Sequence, residues 1–120
     1  MIIGIGIDIV EIERLVLAVK EQPRLINRIL TSDEIVIYQG FTNEHRRMEW
    51  LAGRFAAKEA FAKALNTGIG SDLSFQDIMI TNQENGQPQI DCSKLTQKQQ
   101  VHLSISHEKH YAVAQVLIEG

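Results

Sequence analysis

Four isoleucines, Ile3, Ile5, Ile7 and Ile9, alternate with Gly4, Gly6, Asp8 and Val10 at the start of the chain. Alternation at period two predicts a strand with an aliphatic face and a glycine-rich face. The pattern reads the isoleucine side as buried and the other side as leaving room beside Asp8. The period then lengthens: Ile12, Leu15, Val16 and Val19 fall on one side of a helix that stops near Pro23. RLINRIL predicts a further short helical piece. Thr31 and Glu34 have capping-box spacing, so TSDEIVIY opens another short helix that breaks at Gly40.

The strongest element is a long helix beginning near Thr42 to Glu44 and running to about Leu65. On a helical wheel Leu51, Phe55, Ala62 and Leu65 make its apolar stripe, and Ala52, Ala56, Glu59, Ala60 and Lys63 fill the next sector. Alanines in that sector leave space for another chain or a ligand to approach the acid and the amine. Asn66 to Ser71, NTGIGS, reads as a glycine-rich exit loop that cradles a phosphate with backbone amides, although it lacks a Walker lysine. SFQDIMIT and QPQID read as strands joined by a tight turn at Asn85 and Gly86, and VHLSIS and YAVAQVLIE as two more. The sum is an α+β fold with a mainly antiparallel sheet, one long helix and several short ones, in a single domain over 1–120.

Composition narrows the partners. With 120 residues, 44% of them hydrophobic, the chain suits one compact domain whose modest core gains from oligomerisation. A formal charge of −3 argues against a general nucleic-acid binder. Cys92 is alone, which excludes an internal disulfide and a CxxC zinc site. The aliphatic start meets Asp8 and Glu11 too early for a membrane span and lacks a basic signal-peptide start, so a cytoplasmic location is expected.

Asp8 and Glu59 offer hard oxygen ligands suited to Mg2+, with water and substrate phosphates completing the shell. Lys63, four residues after Glu59, is placed to offset phosphate charge or protonate a leaving oxygen. The same spacing also describes a solvated helix pair worth only about 0.2–0.5 kcal/mol, and Asp8 also reads as a strand-end charge or helix cap. SISH puts Ser104 and Ser106 on one strand face with His107 at the exit, as possible phosphate donors; His107 equally suits a turn, and His102 and His110 have weaker claims. Arg14, Lys20, Arg24 and Arg28 gather positive charge around the first two helical segments, fit for an acidic helical protein or simply for solvent. Arg46, Arg47 and Arg54 add substrate contacts on the long helix, with Arg54 on a different sector from Glu59 and so suited to a site across a subunit interface. Trp50, Phe55 and Phe61 read as packing.

Taken together, GIDIVEIERL, RILTSDE, RRMEWLAGRFAAKEAFAKAL, GIG and LSISH resemble the holo-acyl-carrier-protein synthase group of 4'-phosphopantetheinyl transferases over essentially the whole chain. The resemblance implies a trimer with sites at subunit interfaces and transfer of phosphopantetheine from coenzyme A to a serine of apo acyl carrier protein. It implies Mg2+ on Asp8 and Glu59, phosphate contact and leaving-group assistance by Lys63, and His107 at the 3'-phosphate of coenzyme A. Arg54 and the loop residues Gly68, Gly70 and Ser71 would help hold the cofactor, and Arg14, Lys20, Arg24 and Arg28 would meet the carrier. The acceptor of the serine proton, a carboxylate or a water held by the metal, stays open. Trp50 and Asn66 depart from the group's usual phenylalanine and glycine. An Mg2+-dependent phosphohydrolase and a noncatalytic binding module are the alternative classes.

Overall fold

Strand β1, Ile2–Glu11, runs directly into helix α1, Ile12–Glu21, in the computed structural model, which describes residues 1–120. Two short helices follow, α2 (Leu25–Ile29) and α3 (Ser32–Gly40), then the long helix α4 (Glu44–Ala64). A single 3-10 turn over Phe75–Asp77 leads into β2 (Ile78–Asn82), so the strand expected from Ser74 starts four residues later. β3 (Pro88–Cys92), β4 (Gln100–His107) and β5 (Tyr111–Glu119) complete the chain. The strands form two antiparallel sheets, β1-β5-β4 and the hairpin β2-β3. No helix is long and apolar enough to cross a membrane.

Local chemistry sets these boundaries. Thr31 and Glu34 close the capping box on α3, and the Asn43 side chain accepts the Arg46 amide to start α4. Asn66, at φ 63, takes the left-handed position that ends α4, a conformation asparagine adopts more readily than most side chains. Gly86, at φ 84, turns the β2-β3 hairpin.

The packing of β1 on α4 reverses one expectation. The glycine side of β1 faces the helix: a Cβ on Gly6 would fall on the Ala60 carbonyl oxygen and 2.9 Å from the Ala64 amide nitrogen, and one on Gly4 would meet the Ala64 carbonyl. With no side chain in the way, strand and helix backbones touch, and the isoleucines turn outward instead. Ile3, Ile5, Ile7 and Ile9 are 48–63% exposed in the single chain. The alanine sector of α4 is likewise taken from within: Ala52, Ala56 and Ala60 are fully buried, so the space they leave belongs to this chain and not to a ligand. Ala112, Ala114, Val116 and Ile118 of β5 supply the facing core.

On its other side α4 carries a fully buried lysine that the sequence did not flag. The Lys58 ammonium donates to Glu34 Oε1 at 2.6 Å, to the Ile29 carbonyl at 2.9 Å and to the Phe75 carbonyl at 3.2 Å, which uses all three of its donors. Glu34 in turn accepts the amides of Thr31 and Ile80, each at 2.8 Å. One ion pair thus ties α2, α3, the 3-10 turn and β2 to α4.

Candidate active site

The close contact of β1 and α4 carries chemistry one step further along. Gly4 meets Ala64 and Gly6 meets Ala60, two strand residues for each four helical ones, and both steps span about 6–7 Å. Asp8, two residues on and on the same strand face, is carried by this register toward Ala56, one turn before Glu59, and the long Lys63 side chain reaches back along the helix to it. Lys63 Nζ donates to Asp8 Oδ1 and to the Ile7 carbonyl, each at 3.0 Å. The helical Glu59–Lys63 pair allowed by spacing is not formed, because Lys63 reaches across to the strand.

Asp8 and Glu59 line one cavity of about 390 Å³ together with Arg14 and Phe55. Burial raises the Glu59 carboxyl above the usual glutamate range, the Asp8 charge raises it further, and Lys63 opposes both. Glu11 also lines the cavity, but no three Asp, Glu, His or Cys side chains converge on one point there. Two hard oxygen donors that repel one another, with open space around them, fit a divalent cation that takes its remaining ligands from water or phosphate. Arg14, Lys20, Arg24 and Arg28 are all exposed and none makes an ion pair, and Arg14 lies at the rim of this same cavity.

A second cavity of about 300 Å³ holds Arg46, Arg54 and His107 with Glu49, Trp50 and Asn82. Arg54 is 6% exposed, lies 4.9 Å over the Trp50 ring and donates to Asn82 Oδ1 at 3.2 Å, while its Nε is buried without a partner. Burial lowers its proton affinity, with Glu34 opposing. The His107 ring sits 3.4 Å from Glu49 through Nδ1. An arginine with an unsatisfied donor, a second arginine and an imidazole make a receptive corner for an anion.

The amino-acid pattern of the whole chain supplies the deciding comparison. The profile of the 4'-phosphopantetheinyl transferase superfamily matches residues 4–116. This chain belongs to that superfamily. It is 59% identical to a holo-[acyl-carrier-protein] synthase of Bacillus pumilus and 55% to one of Anoxybacillus flavithermus, in each case over 99% of this chain and 97% of the relative. Among solved structures it resembles a Bacillus anthracis holo-(acyl-carrier-protein) synthase in complex with CoA (3',5'-ADP), at 47% identity and a TM-score of 0.87, covering 98% of this chain and 96% of that one. The Neisseria meningitidis synthase matches at 34% identity and a TM-score of 0.88 over the full length of both chains.

Within this transferase, the single chain gathers Asp8, Glu59 and Lys63 in one place and Arg54 and His107 in another. Other expected residues fall elsewhere. The Gly68 amide donates to the Ala62 carbonyl and the Gly70 amide to the Leu73 carbonyl in the single chain. Ser71 is exposed and, like both glycines, lines neither cavity. Ser104 and Ser106 alternate with the inward-facing Leu103 and so lie on the outer face of the sheet, away from His107. Arg47 is committed to the Tyr38 and Phe41 carbonyls and to Glu44, which makes it structural. His102 pairs with Glu119. Glu49, Asn82 and the cavity role of Trp50 escaped the sequence reading. The four-residue step from Trp50 to Arg54 was the available signal for stacking.

Proposed function

We infer that this chain transfers 4'-phosphopantetheine from coenzyme A to a serine of apo acyl carrier protein, leaving adenosine 3',5'-bisphosphate. The observation that carries the reading is the pair Asp8 and Glu59 at one cavity, with Lys63 bonded to Asp8, in a chain aligned nearly end to end with holo-acyl-carrier-protein synthases. The carrier serine oxygen attacks the β-phosphorus, the bond from that phosphorus to the bridging oxygen breaks, and the electron pair leaves with the adenosine bisphosphate. Asp8 and Glu59 would hold Mg2+, which when bound neutralises and orients the pyrophosphate oxygens. Lys63 is 52% exposed at its side chain, so its ammonium can leave Asp8 and donate to the departing phosphate oxygen. The serine proton passes to a carboxylate of the site or to water.

Arg54 and His107 suit the nucleotide end of coenzyme A, with His107 at its 3'-phosphate. Their cavity is distinct from the carboxylate cavity within one chain, which favours a site completed between copies. The exposed isoleucine column of β1, beside Leu117 and Val113 of β5, supplies an apolar face for a homotrimer. Arg14, Lys20, Arg24 and Arg28 form an unpaired basic surface beside the carboxylates, matched to an acidic carrier.

The test is intact-mass analysis of apo acyl carrier protein incubated with this protein and coenzyme A, with and without Mg2+ and with an Asp8→Ala control. A metal-dependent gain of one phosphopantetheine, lost in the control, is expected. An unchanged mass with a competent carrier overturns the transfer, and hydrolysis of coenzyme A in its place identifies a phosphohydrolase.

A further inference from the structure

Glu49 is the single carboxylate lining the cavity that holds Arg46, Arg54 and His107. A carboxylate in an anion-receiving cavity repels the ligand, so its presence needs a cause. Charge balance is not that cause, because Glu49 makes no ion pair with either arginine. Its contacts are to two imidazoles: Oε2 lies 3.4 Å from His107 Nδ1 and 3.4 Å from His45 Nε2. The Glu49 side chain is only 16% exposed, whereas those of His107 and His45 are 48% and 59% exposed. The mostly buried member of the trio is the acid, and the exposed members are the rings.

We propose that Glu49 is a positioning residue for the donor substrate, holding His107 by Nδ1 so that its Nε2–H is presented to the phosphate. The partner of one imidazole nitrogen decides which nitrogen carries the proton and which way the ring faces. His107 is the last residue of β4, where backbone pairing ends, and no other side chain forms an ion pair with its ring. The contact is an ion-pair approach and not yet a hydrogen bond in the free protein, as catalytic contacts are commonly long or poorly aligned before the ligand closes them. His45, one helical turn before Glu49, approaches the same oxygen and holds the carboxylate between the two rings.

The inference rests on the reading of His107 as the contact for the 3'-phosphate. It is tested by measuring KM and kcat/KM for coenzyme A and for 3'-dephospho-coenzyme A with the wild type, His107→Ala, Glu49→Ala and Glu49→Gln. Glu49→Ala is expected to raise KM for coenzyme A and to compress the preference for it over the dephospho donor by about tenfold, the scale of one charge-assisted hydrogen bond. Glu49→Gln keeps an acceptor for Nδ1–H and is expected to restore most of that preference. The double variant His107→Ala with Glu49→Ala should lose no more preference than His107→Ala alone. If Glu49→Ala slows both donors by one factor, the preference stays at its wild-type value and Glu49 is merely structural. If His107→Ala compresses the preference and Glu49→Ala does not, the positioning role falls while the phosphate contact stands. If His107→Ala leaves the preference intact, the phosphate reading falls and takes the positioning role with it.

Discussion

Replacing Lys58 with methionine isolates the ion pair that joins four elements to α4. Methionine matches most of the lysine stem, so the change removes charge and donors without opening a large cavity. It removes the Lys58 donor from the Ile29 carbonyl, leaves the Phe75 carbonyl with the Ile78 amide alone, and leaves Glu34, which is 1% exposed, without its counterion. Breaking a buried pair from one side costs about 3–5 kcal/mol. The two amides of Thr31 and Ile80 continue to solvate the Glu34 carboxylate, which places the expected loss at the lower end, about 3 kcal/mol. Against a total of roughly 5–15 kcal/mol for a domain of this kind, that is a large fraction. With an m-value of about 2 kcal/mol/M the urea midpoint should fall by about 1.5 M at constant slope, measured at fixed protomer concentration. A loss below about 1 kcal/mol would refute the reasoning, since it would mean that the pair contributes no more than a surface ion pair does.

Gly6→Ala should be among the most damaging single methyl additions, destabilising by about 3 kcal/mol or preventing folding, because its Cβ meets helix backbone that cannot move aside; circular dichroism melting checks it against Gly70→Ala, where the space is open. Ile5→Lys should leave the protomer folded and dissociate the proposed trimer, read by sedimentation velocity. Glu59 titrates higher in the folded chain than in the unfolded one, so the native state binds more protons and stability falls as pH rises above about 4.3. Asp8→Asn removes one cause of that shift and should flatten this fall in urea midpoints, and it should also abolish the melting-temperature gain expected from Mg2+ in the wild type.

Legibility in the sequence followed the range of the interaction. The start of α3 was readable because Thr31 and Glu34 lie three residues apart, and the end of α4 because asparagine tolerates the left-handed position that Asn66 takes. The second duty of Glu34, as counterion to a lysine 24 residues away, had no local signature. The exposed isoleucine face of β1 shows the same limit from the other side. Alternation identifies two faces but not which one a helix will cover, and here the absence of side chains at Gly4 and Gly6 decided it. Asp8, Glu59 and Lys63 were each readable as residue types, while the partner of Lys63 depended on how α4 lies along the strand. Glu49 was hidden because its meaning comes from His107, 58 residues later.

The contact of two strand residues per helical turn between β1 and α4 has a consequence for how this protein can change. The residues in that contact, together with Asp8, Glu59 and Lys63, lie within 4–8 and 59–64, and their spacing is set by backbone against backbone. Much of the chain between them, α1 through α3, is an excursion whose length the contact does not sense. The basic residues suited to the carrier, Arg14, Lys20, Arg24 and Arg28, sit on that excursion. Recharging those exposed positions is expected to retune partner choice while the phosphate-handling register stays fixed, so the fold separates what it reacts with from how it reacts.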